Sequence, residues 1–314
     1  MSDFKAKLKN NQNLGNLIAL IILVVFVSIM NRTFLQPTNL LNLMRQLIIN
    51  GFIALGMTFV ILTGGIDLSV GSSLAISSAV FAGLLQTGMG TILAIIIAIA
   101  IGLCLGLING ILITKGKLAP FIVTLATMTI FRGLTLVYTE GRPIPGPKDD
   151  FLFKFLGKGT VFGIPFPVIL FAIVFIILWI ILNKTPFGRK VYAVGGNEKA
   201  SFISGINIDK VKIWVYIISA LMAVLSGLVL TSRLNSAQPT AGTAYEMDAI
   251  AAVVLGGTSM SGGSGSLTGT LIGILILGVL NNGLNLLGVS SFYQQIVKGI
   301  VILVAVLIDR KRNK

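Results

Sequence analysis

Apolar runs of roughly twenty residues recur along this chain, the length a helix needs to cross the hydrocarbon core of a bilayer. Of the 314 residues, 55% are hydrophobic and 11% charged, a balance outside that of soluble domains. Backbone polar groups in lipid leave only helices or closed barrels as spanning solutions. The runs lack the alternation of a barrel strand, so helices are expected. The fold class is an all-α integral membrane protein. The runs cover residues 14–30, 43–62, 70–87, 91–114, 119–138, 164–183, 213–232, 247–262, 267–287 and 291–308. They imply about ten transmembrane helices in one domain over 1–314. The run at 247–262 is short, carries Asp248 and ends in Gly256-Gly-Thr-Ser-Met-Ser-Gly-Gly-Ser-Gly. It can equally be a broken or re-entrant helix.

Lys and Arg set the orientation, because positive loops are retained in the cytoplasm. With the N-terminus inside, fifteen of the 24 fall on the inner side, among them Lys5, Lys7, Lys9, Lys115, Lys117, Lys184, Arg189, Lys190, Lys199, Lys210, Lys212 and Lys314. An even helix count places both termini inside, N-in/C-in. The net charge of +14 then reflects topology and anionic lipid, and no nucleic-acid partner is implied. The first run lacks a small-residue cleavage site and reads as a retained helix. Cys104, the single cysteine, reads as a small apolar residue.

Absent residues restrict the chemistry. The sequence has no histidine, which removes imidazole triads, relays and metal sites. Gly116-Lys117 and Gly157-Lys158 are followed by Leu and Gly, so neither forms a phosphate-cradling loop. The chain is not expected to hydrolyse ATP or to hold a cofactor.

Ionisable groups within spans are costly and suggest function. Arg132 and Lys298 lie near the outer ends of their helices, where snorkelling to the interface accounts for them. Asp67, in Thr63-Gly-Gly-Ile-Asp-Leu-Ser-Val-Gly, suits capping of the next helix, directly or through Ser69, with cargo contact as the alternative. Asp248 reads first as a start-of-helix residue. Gly102, Gly106 and Gly110 line one helix face and allow close approach by another. Asn281, Asn282 and Asn285 cluster on one side of their helix. They serve either as interhelical hydrogen bonds or as a polar stripe for a polyhydroxyl solute. Leu105-Gly-Leu-Ile-Asn-Gly and Leu277-Gly-Val-Leu-Asn-Asn echo one another five helices apart, as a possible inverted repeat would.

The richest polar stretch is 184–212, expected as a cytoplasmic loop. Within it Asn197 is a good N-cap, Glu198 occupies the first turn, and Gly205 ends the run. Phe202, Ile203 and Ile206 give this short helix an apolar side, suited to the lipid interface or to docking. Two other polar clusters are expected on the outer side, around Pro143, Pro145 and Pro147 and along Ser236-Ala-Gln-Pro-Thr-Ala-Gly-Thr.

Glu198-Lys-Ala-Ser-Phe-Ile-Ser-Gly resembles the Glu-Ala-Ala…Gly signature of ABC importer permeases. Lys199 and Ser201 flank Ala200 where that signature has paired alanines. Leu62-Thr-Gly-Gly-Ile-Asp-Leu-Ser-Val-Gly-Ser, Tyr192-Ala-Val-Gly-Gly-Asn-Glu-Lys-Ala and Ala249-Ile-Ala-Ala-Val-Val-Leu-Gly-Gly-Thr-Ser resemble the monosaccharide branch of that family. Leu277-Gly-Val-Leu-Asn-Asn-Gly-Leu-Asn-Leu-Leu-Gly is most similar to its ribose permeases. The resemblance covers nearly the whole chain. It implies a homodimeric or pseudodimeric pore in a bacterial cytoplasmic membrane, a two-cassette ATPase inside that uses ATP and Mg, and a periplasmic or lipid-anchored ribose-binding protein outside. It implies coupling to the ATPase through Gly188, Arg189, Glu198, Lys199, Ala200 and Gly205. Asp67, Ser69, Asn281, Asn282 and Asn285 are the candidates for the sugar path. The rival is an ion-coupled secondary sugar transporter, which needs an intramembrane carboxylate such as Asp67 or Asp248.

Overall fold

The computed structural model describes residues 12–312. Lys5, Lys7, Lys9 and Lys314 lie outside the described residues. Thirteen α-helices make up 77% of the structure. The first five are α1 Gln12–Met30, α2 Pro37–Leu62, α3 Val70–Gln86, α4 Thr91–Thr114 and α5 Pro120–Thr139. A short α6 Phe151–Lys158 precedes α7 Phe166–Lys184, α8 Pro186–Gly196, α9 Glu198–Ile203 and α10 Ile208–Leu234. The chain ends with α11 Tyr245–Leu255, α12 Leu267–Leu286 and α13 Ser291–Arg312.

Local sequence fixes many of these starts. Proline opens α2, α5 and α8, where its missing N–H is no loss. Side-chain oxygens of Asn197, Asn207 and Ser266 accept the N–H three residues on, at 2.9, 2.9 and 3.0 Å, capping α9, α10 and α12.

Among the described residues six helices, α2, α4, α5, α7, α10 and α12, are long and apolar enough to cross a membrane, and α3 is a shorter apolar helix. The protein is therefore a multi-pass membrane protein. The most apolar stretches of α2 and α10 are 78% and 72% buried, against 28% for α5 and 17% for α7. So α2 and α10 form the protein core, while α5 and α7 leave most of their surface uncovered. The glycine face at 102, 106 and 110 is where α4 meets α10. A Cβ on Gly106 would lie 2.6 Å from the Ile217 Cα, so the backbones touch as in other small-residue helix pairs.

Two crossings are interrupted. Residues 63–69 separate α2 from α3 without helix. The run expected at 247–262 is a half-helix. With 11 residues, α11 extends only about 16 Å, and the chain continues irregularly to Ser266. Gly257, at φ +89°, takes a conformation that ends a helix. The two polar clusters expected outside pair with each other: Ile144–Pro145 runs antiparallel to Ser236–Ala237.

Candidate functional site

α8 and α9 cross the end of the molecule where α2 finishes. The expected short helix is present: Asn197 caps it, Glu198 begins it, and Gly205 follows it at φ +79°. Ser201 is buried and holds α9 down, whereas Glu198, Lys199, Ala200 and Gly205 are exposed. Phe202 and Ile203 are 72% and 85% exposed and face away from the protein, whereas Ile206, expected on the same apolar side, packs against the core. Lys212 Nζ lies 2.8 Å from Glu198 Oε2 and ties α9 to α10. Along the sequence Lys212 marks only the inner side. Its partner is fourteen residues away, beyond any helical spacing. Gly188 is buried at the α7–α8 corner and Arg189 is exposed beside it.

Behind α9, three glycine pairs converge. Gly263 N donates to Leu62 O at 2.9 Å, joining the two interrupted crossings. Gly195 packs onto that bond. A Cβ there would stand 1.7 Å from Leu62 O and 2.6 Å from Gly263 N. Tyr192 Oη donates to Gly265 O at 2.9 Å, a second tie from α8 to segment 256–266. A cavity of about 340 Å³ separates this junction from the first turn of α9, with Gly64, Gly65, Gly196, Asn197 and Lys212 in its wall. None of these backbone contacts is visible from local spacing, although the Gly-Gly pairs at 64, 195 and 262 were a signal.

Asp67 and Ser69 form a buried joint. Asp67 Oδ1 accepts from Ser69 N at 3.0 Å and Ser69 Oγ at 2.6 Å, and Oδ2 accepts from Ser219 Oγ on α10 at 2.7 Å. Asn109 Nδ2 on α4 donates to Ser69 Oγ at 2.8 Å. Both Asp67 and Ser69 are 1% exposed. The carboxylate thus orders the start of α3 and pins loop 63–69 to two neighbouring helices.

The three asparagines of α12 point to different partners. Asn281 shares a small cavity with Asn50 and Asp248. Asn282 exchanges two hydrogen bonds of 3.0 Å with Asn39, and Asn285 accepts from Gln294 at 2.8 Å. They do not present one continuous stripe.

Neither Lys298 nor Arg132 reaches outward as expected. Lys298 Nζ turns inward to Asp248 Oδ2 at 2.9 Å, and Asn50 Nδ2 donates to the same oxygen at 3.1 Å. Arg132 Nη1 donates to Pro239 O at 2.5 Å. The segment before and within α11 supplies both partners, which is why sequence depth alone misplaced them. Lys298→Met is expected to destabilise the protein by about 3 kcal/mol, since it strands Asp248 without its cation. The double variant with Asp248→Leu should recover most of that loss in thermal unfolding measured in detergent.

A family model described as branched-chain amino acid transport system, permease component, matches residues 39–306. The chain belongs to this family of ABC importer permeases. The permease is 64% identical to the ribose import permease protein of Bacillus subtilis over 302 residues, covering 96% of this chain and 94% of the relative. It is 51% identical over 300 residues to that of Escherichia coli K12, covering 95% and 94%. The D-allose transport system permease protein of E. coli K12 is 43% identical over 295 residues, covering 94% and 90%. No solved structure matches the permease. An ion-coupled transporter is not favoured by these relatives. The two carboxylates it would use, Asp67 and Asp248, are already engaged by hydroxyls and by an ammonium.

Proposed function

We propose that the chain imports ribose across the cytoplasmic membrane as the pore of an ATP-driven importer. In this reading residues 1–314 form one permease domain, and 184–212 is its cytoplasmic coupling segment. Both termini lie inside, and there are ten crossings, with 247–262 counted as one although its helix is short. The echo between α4 and α12 marks an inverted repeat. Two copies of the chain enclose the path. A two-cassette ATPase binds inside and uses ATP with Mg, an extracytoplasmic ribose-binding protein delivers cargo outside, and the permease itself binds no cofactor.

The observation that carries this reading is α9: an exposed, capped, six-residue helix braced by Lys212 and backed by the junction of both interrupted crossings. A partner seated on Phe202 and Ile203 can push that junction without touching the membrane. Gly188 and Arg189 position the α8 corner, and Glu198, Lys199, Ala200 and Gly205 shape the docking helix. Ribose is chosen over other sugars because the ribose relatives stand above the D-allose relative in identity.

The test is the double substitution Phe202→Glu/Ile203→Glu. Both side chains are exposed, so the permease is expected to fold and insert normally. The ATPase should no longer co-purify, and ATP-driven ribose uptake should vanish. Retained ATPase and unchanged uptake would overturn the assignment of α9.

A further inference from the structure

A second cavity, walled mostly by apolar surface with a few polar groups set into it, lies away from the coupling junction, between α3, α5 and α11. Its volume is about 410 Å³, within the range of small-molecule sites, about 300–1,000 Å³. Met128, Gly133 and Leu136 line it together with the polar Ser72, Arg132 and Glu246. Segment 238–244 folds inward to form one wall. Gly242 and Gly71 meet backbone to backbone, such that a Cβ on Gly71 would stand 2.1 Å from Gly242 O.

The chemistry of the wall is mixed. Arg132 spends one N–H on Pro239 O and keeps other donors for the cavity. Glu246 is its electrostatic partner and lies in the first turn of α11. The start of that helix is already satisfied: Tyr245 N donates to Gly242 O at 3.2 Å, and the Glu246 carboxylate accepts from the backbone at Ala244 and Glu246. Ser72 is 1% exposed, and its Oγ has no hydrogen-bond partner among the described residues. A buried polar atom without a partner is uncommon in a native structure and calls for one.

These groups select a ligand class. An anion would be repelled by Glu246, and a cation by Arg132. A lipid chain would leave the buried Ser72 hydroxyl without a partner. A neutral solute rich in hydroxyls can donate to Glu246 and accept from Arg132 and Ser72 at once. α5, which carries Arg132, has most of its surface uncovered in one protomer, so the cavity stands beside a face free to border a pore.

We propose that this cavity is a waypoint that binds sugar hydroxyls during passage, with Ser72, Arg132 and Glu246 as its binding groups. It rests on the reading of the chain as a sugar importer. At this waypoint the hydroxyls exchange water for protein partners, which lowers the cost of crossing the membrane.

The test uses the full importer, permease with its ATPase, in nanodiscs without ATP. Cys104→Ala removes the native thiol, and Gly133→Cys introduces one at the cavity, where a Cβ meets nothing within 4 Å. A water-soluble maleimide is expected to label this thiol, and ribose at millimolar concentrations should slow the labelling, whereas sodium chloride should not. Adding Ser72→Ala or Glu246→Gln should raise the half-protecting ribose concentration about fivefold each, the loss of one hydrogen bond to cargo. Absent labelling, labelling indifferent to ribose, or protection unchanged in both variants would overturn the waypoint. Wild-type ribose uptake with ATP and binding protein is measured in parallel. Its failure would sink the importer reading, while uptake without protection would sink the waypoint alone.

Discussion

Gly195→Ala is expected to cut ATP-driven ribose uptake by more than about tenfold, because overpacking a closed contact costs about 1–3 kcal/mol. The added methyl has no room: Leu62 O stands 1.7 Å and Gly263 N 2.6 Å from its position. Both neighbours are backbone, so no rotamer change relieves the clash. Either α8 lifts from the junction or the 2.9 Å bond between Gly263 and Leu62 breaks. The exposed side of α9 is untouched, so the ATPase should still co-purify and hydrolyse ATP. Hydrolysis without uptake is the expected pattern, read from phosphate release and labelled ribose in the same proteoliposomes. Gly196→Ala is the matched control, since a Cβ there meets nothing within 4 Å, and it should leave uptake near wild type.

The largest loss of stability is expected from Asp67→Ala. The substitution removes the acceptor of the Ser69 N–H, the Ser69 hydroxyl and the Ser219 hydroxyl together. Each buried donor left without a partner costs about 1–3 kcal/mol, so a total of about 3 kcal/mol or more is anticipated. Thermal unfolding in detergent should fall by several degrees. Ser219→Ala removes one donor and leaves the carboxylate its other two, and should cost about 1 kcal/mol. If Asp67→Ala were as stable as the wild type, the carboxylate would not be the joint between α3, α4 and α10.

Hydropathy is a local signal, and for that reason the spans were legible. α2, α4, α5, α7, α10 and α12 all fall on runs visible in the sequence. The short helix α9 was legible for a similar reason, with Asn197 and Gly205 marking its two ends within nine residues of chain. What the sequence concealed were partners brought together from far apart. Lys298 and Arg132 sit near helix ends and suggest snorkelling, yet Asp248 and the Pro239 carbonyl draw them inward. Glu198 and Lys212 have no periodic relation. The contact of Gly195 with Leu62 and Gly263 joins three segments whose glycine pairs look alike and unrelated along the chain. The run at 247–262 has the composition of a span, but Gly256, Gly257 and the glycines that follow deny it the length.

The most direct measurement is uptake of labelled ribose into proteoliposomes holding the permease and its ATPase, with the ribose-binding protein supplied on the opposite side from ATP. Uptake that requires ATP and the binding protein, and persists when proton and sodium gradients are collapsed, is the predicted result. Uptake driven by an ion gradient in the absence of ATP would contradict it.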